Sequence, residues 1–277
     1  MTLYLALGIW TSPEQRHLRQ QDPRLVCHFV AVGHGTCILI ELPDGRTLLY
    51  DAGQLGPSLT GVRTISAVLW HRGMIHLDAV IISHADADHY NALPGLLGRF
   101  SVGAVYVSPV MFDEDTPALA EVRRAIQESQ VPLHLLRAGD RLDAGSVLIE
   151  VLHPPGGGVP GSDNANSIVL ALEYAGWFLL LPGDLETPGL EPLLEQPPLD
   201  CDLVMAPHHG SLRSSPRAFA RWTTPEWLVI SGDHLKPTVR ETFVEAYRCR
   251  VLDTASSGAV KIEIDESRFE VTSWRQD

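Results

Sequence analysis

The stretch Ser83-His84-Ala85-Asp86-Ala87-Asp88-His89 decides the fold of this 277-residue chain. Its four potential metal ligands, His84, Asp86, Asp88 and His89, directly follow Leu77-Asp78-Ala79-Val80-Ile81-Ile82, an apolar run that reads as a buried strand. The ligands therefore sit on the loop at the strand's C-terminal end, where alternate side chains can point at two adjacent places. Imidazole and carboxylate hold divalent cations able to activate water. Asp88 and His89 are consecutive and cannot share one side of a regular strand, yet they converge on a turn that opens a helix. The alternative is a solvated acidic loop with incidental histidines. Against it, the rest of the chain supplies the missing ligands in a sensible order.

On either side of this stretch lie further matching segments. They are Phe29-Val30-Ala31-Val32-Gly33-His34-Gly35-Thr36, Leu48-Leu49-Tyr50-Asp51-Ala52-Gly53, Leu152-His153-Pro154-Pro155 with Asp163-Asn164-Ala165-Asn166-Ser167, Leu180-Leu181-Pro182-Gly183-Asp184-Leu185-Glu186, and Ala206-Pro207-His208-His209-Gly210-Ser211. With the central motif they resemble the metallo-β-lactamase superfamily, whose signature H-x-[HD]-x-D-H here carries Asp86 where most members have a second His. The Asp-substituted motif, D-N-x-N-S and H-H-G-S together are similar to the C-terminal metallo-β-lactamase-like domain of ComEC-type DNA-uptake competence proteins. The resemblance covers roughly residues 25–265. It implies an αββα sandwich: two mixed sheets face to face, helices outside.

A two-metal hydrolase needs about three protein groups per cation, one shared carboxylate and an open edge for water. His84 and Asp86 are assigned to the first metal, Asp88 and His89 to the second. Asp184 ends the apolar run Trp177–Leu181 and is the expected bridging carboxylate, a helix N-cap being its other reading. Of His208 and His209, the resemblance favours His208 as ligand. His209 is then left, with His234 and Lys236, to hold a phosphate or protonate a leaving oxygen. Asp163 could complete the first metal, or Asn164 and Asn166 could position substrate. A carboxylate-rich first site moves preference from Zn²⁺ toward Mn²⁺ or Mg²⁺. The catalytic set is thus Asp88, Asp184, His209 and His234, with His34, Asn164, Asn166, Ser211 and Lys236 facing substrate. Two acidic residues of the family pattern are Ala31 and Thr36 here, and His34 replaces its usual Gln, offering a metal-adjacent or substrate-facing imidazole. His153 reads as structural.

The formal net charge of −13 argues against a general basic surface for nucleic acid, so any such contact must be local to the site. Four cysteines without C-x-x-C spacing read as buried thiols. Residues 1–24 form an apolar start and a polar linker. The apolar part is too short to span a bilayer and lacks signal-peptide features; it reads as the remnant of a membrane helix, an edge strand or a tail. Residues 25–277 are expected as one domain. Within it, strands are expected at 25–32, 37–42, 47–51, 77–82, 105–107, 133–136, 147–152, 167–173, 177–182, 202–206, 227–231, near 251, at 260–264 and at 269–273. Helices are expected at 62–73, 117–129, 188–195, 216–222 and 238–248.

The ligand set by itself predicts metal-dependent hydrolysis with two divalent cations, Zn²⁺ or Mn²⁺ with Mg²⁺ a third choice. The resemblance points it at DNA: a phosphodiesterase or nuclease using a metal-bridging hydroxide on single-stranded DNA, beside a membrane DNA-uptake channel. The alternatives are a hydrolase of a small ester, lactone or phosphocholine-type substrate on the same site, or a non-catalytic remnant module.

Overall fold

The computed structural model describes residues 23–275 and the backbone of Tyr4–Leu5. Its strands in chain order are β1 (Tyr4–Leu5), β2 (Leu25–Phe29), β3 (Ile38–Glu41), β4 (Thr47–Tyr50), β5 (His76–Ile82), β6 (Ser101–Val107), β7 (Leu133–Leu135) and β8 (Arg141–Ala144). They continue with β9 (Val147–His153), β10 (Val169–Tyr174), β11 (Trp177–Leu181), β12 (Leu203–Met205), β13 (Trp227–Ile230), β14 (Arg250–Asp253), β15 (Val260–Ile264) and β16 (Phe269–Ser273). One sheet has the order β16-β15-β2-β3-β4-β5-β6-β7, the other β1-β8-β9-β10-β11-β12-β13-β14. Each passes from antiparallel to parallel pairing along its width: β2 to β4 are antiparallel and β4 to β7 parallel, while β8 to β11 are antiparallel and β11 to β14 parallel.

The near-continuous apolar character of the central strands follows from burial on both faces. Ile38, Ile40, Tyr50 and Ile81 face Ile149, Leu170, Leu181, Met205 and Val229 across the space between the sheets. Their neighbours Leu39, Leu49, Val80 and Ile82 point the other way, onto Val62, Ile65, Leu96 and Val122 of the helices Ser58–His71, Leu93–Leu97 and Pro117–Glu128. The helices Leu190–Leu194 and Pro216–Thr223 cover Leu180, Val204 and Leu228 on the far face. The result is the expected four-layer αββα sandwich. All four cysteines are free and buried.

Leu42-Pro43-Asp44-Gly45-Arg46 turns β3 into β4, with the Leu42 amide donating to the Arg46 carbonyl at 2.8 Å. The helix expected at 62–73 runs from Ser58 to His71. Ser58, Leu59 and Thr60 are exposed, so the first turn adds nothing to the apolar period. β8 was not expected, because only Leu142 and Ala144 face inward and the strand is too short for alternation to register. In place of a helix over 238–248, a three-residue turn Pro237–Val239 leads into a wide π-type segment, Arg240–Ala246.

Tyr4–Leu5 pairs in parallel with Arg141–Leu142 at a sheet edge. The other expectations for the N-terminal segment fall mainly on residues 1–3 and 6–22, outside the described residues. Among the described residues no helix is long and apolar enough to cross a membrane.

Candidate metal centre

The site gathers at the C-terminal ends of parallel strands from both sheets. His84 lies just past β5, and a short helix, Ala87–Tyr90, then presents Asp88 and His89. Asp184 follows β11, and His209 follows β12 on the turn Pro207–Gly210. Donor atoms of His84, His89 and Asp184 all lie within 4.8 Å of one another, as do those of His34, Asp88 and His209.

Asp184 stands between the two groups. Its Oδ1 is 3.3 Å from His89 Nε2 and its Oδ2 is 3.3 Å from His209 Nε2. A carboxylate presenting one oxygen to each group has the geometry of a bridge. Asp88 Oδ2 is likewise 3.3 Å from His209 Nε2.

The three buried rings are each held from behind. Asp51 Oδ2 accepts from His89 Nδ1 at 2.7 Å, and the Ser231 carbonyl accepts from His209 Nδ1 at 2.6 Å. Ser83 Oγ donates to Asp51 at 2.8 Å and so accepts from His84 Nδ1 at 2.9 Å. With every Nδ1 protonated, each Nε2 lone pair points into the site, and all three Nε2 atoms are buried without a hydrogen-bond partner. Leaving such atoms unpaired is costly in a folded interior. Ligation of a cation removes that cost, and the donor set, imidazole with carboxylate, suits a divalent transition metal. The residues fit the group.

Asp51 also accepts the Ser83 amide at 2.7 Å, so one buried carboxylate orders the whole stretch from Ser83 to His89. Asp51→Asn is expected to weaken cation binding roughly 10- to 100-fold, as loss of such ligand-orienting partners does; chelator competition measures it.

Before a cation binds, the centre is a charged lattice of its own. Burial pushes Asp184 up, but His89 and His209 outweigh it and hold the carboxyl well below the usual range. Burial opposes ionisation of Asp88 too, yet the His209 ring 3.3 Å away and the nearby His89 bring it to about 2. Burial lowers the His89 and His209 imidazoles; Asp184 reverses this in both, aided by Asp51 for His89 and by Asp88 for His209, and both end raised. His34 is lowered, first by burial and then by His209.

The signs define a window. Stability from Asp88 is complete above the ordinary 3.8 and lost as pH falls toward about 2. That from His89 and His209 is complete below the ordinary 6.5 and lost as pH rises through their raised values. Metal-free protein should therefore melt highest between about pH 4 and 6.5. Cation loading, which needs neutral imidazole, should move that optimum upward. Melting curves of both forms from pH 3 to 9 test this, and a metal-free optimum above pH 8 would contradict it.

Other expected residues are placed differently. His208, the expected ligand, leans on Glu186 with Nδ1 3.1 Å from Oε2, and its Nε2 is 3.9 Å from Asp184 Oδ2. His208 and His209 both have left-handed backbone, with φ of 49° and 50°, so the second ring rather than the first swings inward. His89 groups with His84 and Asp184, and its Nε2 also lies 3.8 Å from Asp88 Oδ2. Asp86 is half-exposed with Oδ2 3.6 Å from His84 Nε2. Asp163 is near enough to Asp86 and His84 to feel both; burial and then Asp86 raise its carboxyl. Asn164 Nδ2 is 3.5 Å from the His208 ring.

Asn166 is not available to substrate, because its amide holds both the amide and the carbonyl of Val159, at 2.7 and 2.9 Å. Ser211 caps the turn Leu212–Ser214 by accepting the Arg213 amide. His234 is largely exposed and lies 3.0 Å from Ser256 Oγ, and Lys236 pairs with Asp233 at 3.1 Å. His234 is not among the residues gathered at the centre, whereas Lys236 is tied to Asp233, which interacts with the His34 ring.

Sequence reading missed Asp51, Ser83, Ser231 and Glu186. For Asp51 a signal existed: an acidic residue directly after the apolar Leu48-Leu49-Tyr50.

The geometry agrees with comparisons to known proteins. ComE operon protein 3 of Bacillus subtilis (strain 168) is 27 % identical over 252 residues, 84 % of this chain and 32 % of that protein. Competence protein ComA of Neisseria gonorrhoeae is 29 % identical over 237 residues, 83 % of this chain and 31 % of that protein. The chain thus spans about a third of the length of these relatives. The crystal structure of the metallo-beta-lactamase fold protein YhfI from Bacillus subtilis superposes with a TM-score of 0.60 at 14 % identity, covering 88 % of this chain and all of that one. The family description Metallo-beta-lactamase superfamily matches residues 30–221. With its ligand-bearing strand ends and paired His/Asp clusters, the chain belongs to the metallo-β-lactamase superfamily.

Proposed function

We propose that the chain is a dinuclear phosphodiesterase that cuts DNA, with single-stranded DNA as substrate. One observation carries the hydrolytic part: the inward lone pairs of His84, His89 and His209 converge on Asp184, with Asp88 alongside. Two cations held there supply Lewis acidity and a water of lowered pKa. Asp184 would offer one oxygen to each, and Asp51 and the Ser231 carbonyl keep the rings in register. His208, largely buried and backed by Glu186, would orient a phosphate oxygen or return a proton to the leaving oxygen.

The DNA part rests on similarity to competence proteins, and the working context proposed with it is a membrane DNA-uptake channel. A net charge of −13 fits a substrate gripped at the cations rather than along a basic face.

The test is single-turnover cleavage of end-labelled single-stranded DNA. Metal-stripped protein is compared with protein refilled with Mn²⁺, Mg²⁺ or Zn²⁺, with Asp86→Ala and Asp184→Ala alongside. Metal-restored cutting lost in both variants is the expected result. Intact DNA with two equivalents of metal bound would refute it. The acidic surface favours, as second reading, a small ester or lactone substrate; turnover of an ester panel with DNA untouched would select that.

A further inference from the structure

We propose that His34 is itself a protein ligand of the cation held by Asp88 and His209, an inference that rests on the dinuclear reading above. His34 sits on the Gly33-His34-Gly35 turn between β2 and β3, away from the strand ends that carry the other ligands.

The turn is built to one shape. Gly35 has φ 143°, and a Cβ there would lie 2.7 Å from the carbonyl oxygens of both Asp88 and Gly53. Only glycine lets the turn press so close to the backbone of the ligand loop. The turn is then tied down on all sides. The His34 carbonyl accepts the Leu55 amide at 2.6 Å, the Thr36 amide donates to the Asp88 carbonyl at 3.1 Å, and Ser231 Oγ donates to the Gly35 carbonyl at 3.0 Å. Ser231 is also the residue whose carbonyl orients His209, so the mounting of one ring is shared with the other.

This mounting places the His34 ring centroid 4.5 Å from that of His209, with Nε2 3.7 Å from Asp88 Oδ2. At 3.7 Å the pair is too long for a hydrogen bond. It is close to the separation a shared ion imposes. A tetrahedral cation about 2.0–2.1 Å from each ligand sets ligand–ligand edges of roughly 3.3–3.4 Å. The His209–Asp88 edge is 3.3 Å and the His34–Asp88 edge is 3.7 Å. The His34–Asp88 edge therefore needs to shorten by only a few tenths of an ångström. The His34 ring is 43 % exposed and free to make that movement.

The experiment titrates metal-free wild-type protein and His34→Gln with Co²⁺ against a chelator, recording the visible spectrum of each equivalent. Wild type should bind two equivalents. His34→Gln should keep one at full affinity and bind the other at least 10-fold more weakly, with a changed spectrum for that ion alone; ligand-orienting partners already cost roughly 10- to 100-fold. His34→Asp, which restores a donor at that place, should recover part of the lost affinity. Metal-free melting temperatures of the variants should match wild type, since the His34 ring is 43 % exposed and makes no hydrogen bond to Asp88 at 3.7 Å.

Two equivalents in His34→Gln at wild-type affinity and with an unchanged spectrum would overturn the assignment while leaving the dinuclear reading intact. Fewer than two equivalents in wild type would overturn both.

Discussion

Asp184→Ala is expected to cost the largest loss of function of any single change: at least about 100-fold in affinity for both cations, beyond the range seen for residues that only orient a ligand. The reason lies in its position between two rings that face different clusters, 3.3 Å from each. Removing it opens the bridge and also strands His89 and His209, both buried and both depending on that carboxylate for their charge. Elemental analysis after dialysis should find the variant nearly metal-free, and hydrolysis of any substrate should fall with it. Asp184→Asn, which keeps the shape and loses the charge, should behave almost as badly. Two tightly held equivalents in either variant would show that Asp184 is not the bridge.

Gly53→Ala should be among the most damaging changes that replace no ligand. A Cβ at this position would coincide with the Asp88 carbonyl carbon and the His89 nitrogen, which are backbone atoms and cannot swing aside. The segment is locked further by the Gly53 amide donating to the Thr36 carbonyl at 3.2 Å and the Ala52 amide to the His89 carbonyl at 2.7 Å. Displacing the ligand loop should cost about 3 kcal/mol, the upper part of the usual overpacking range. For a chain of this size that is a fall of roughly 6–12 °C in Tm. The same displacement moves Asp88 and His89 together, so stabilisation by added metal should largely disappear. Thermal melts with and without Zn²⁺ read both effects; a variant that melts like wild type and still gains stability from metal would contradict them.

Much of the architecture was legible because its signals are local. The alternation of β-branched runs with amphipathic stretches locates most strands and several helices, and the ligands cluster where apolar runs stop. What escaped depends on handedness or on partners distant in sequence. Nothing in Pro207-His208-His209-Gly210 says that both histidines adopt left-handed backbone, yet this decides which ring turns inward. Asn166 looked like a substrate group because its amide could reach anything; the fold spends it on Val159. Asp51 shows in sequence only as an acidic residue after an apolar run; its role escapes because its partners, Ser83 and His89, lie 32 and 38 positions away. β8 is half polar and four residues long, below the length at which a two-residue period can be told from chance.

The position of β15 carries a consequence for how such a chain is made. β2 is flanked by β3 on one side and by β15 on the other, and the Arg24–Glu263 pair beside that seam spans 239 positions. During synthesis, β2 through β7 emerge well before β15, so the Leu25–Phe29 edge must wait for Val260–Ile264 before it finds its neighbour. Until then it is an apolar row of unpaired amides and carbonyls, open to any other strand. Nascent chains stalled before residue 260 should therefore be the aggregating species, and the ones a ribosome-bound chaperone protects.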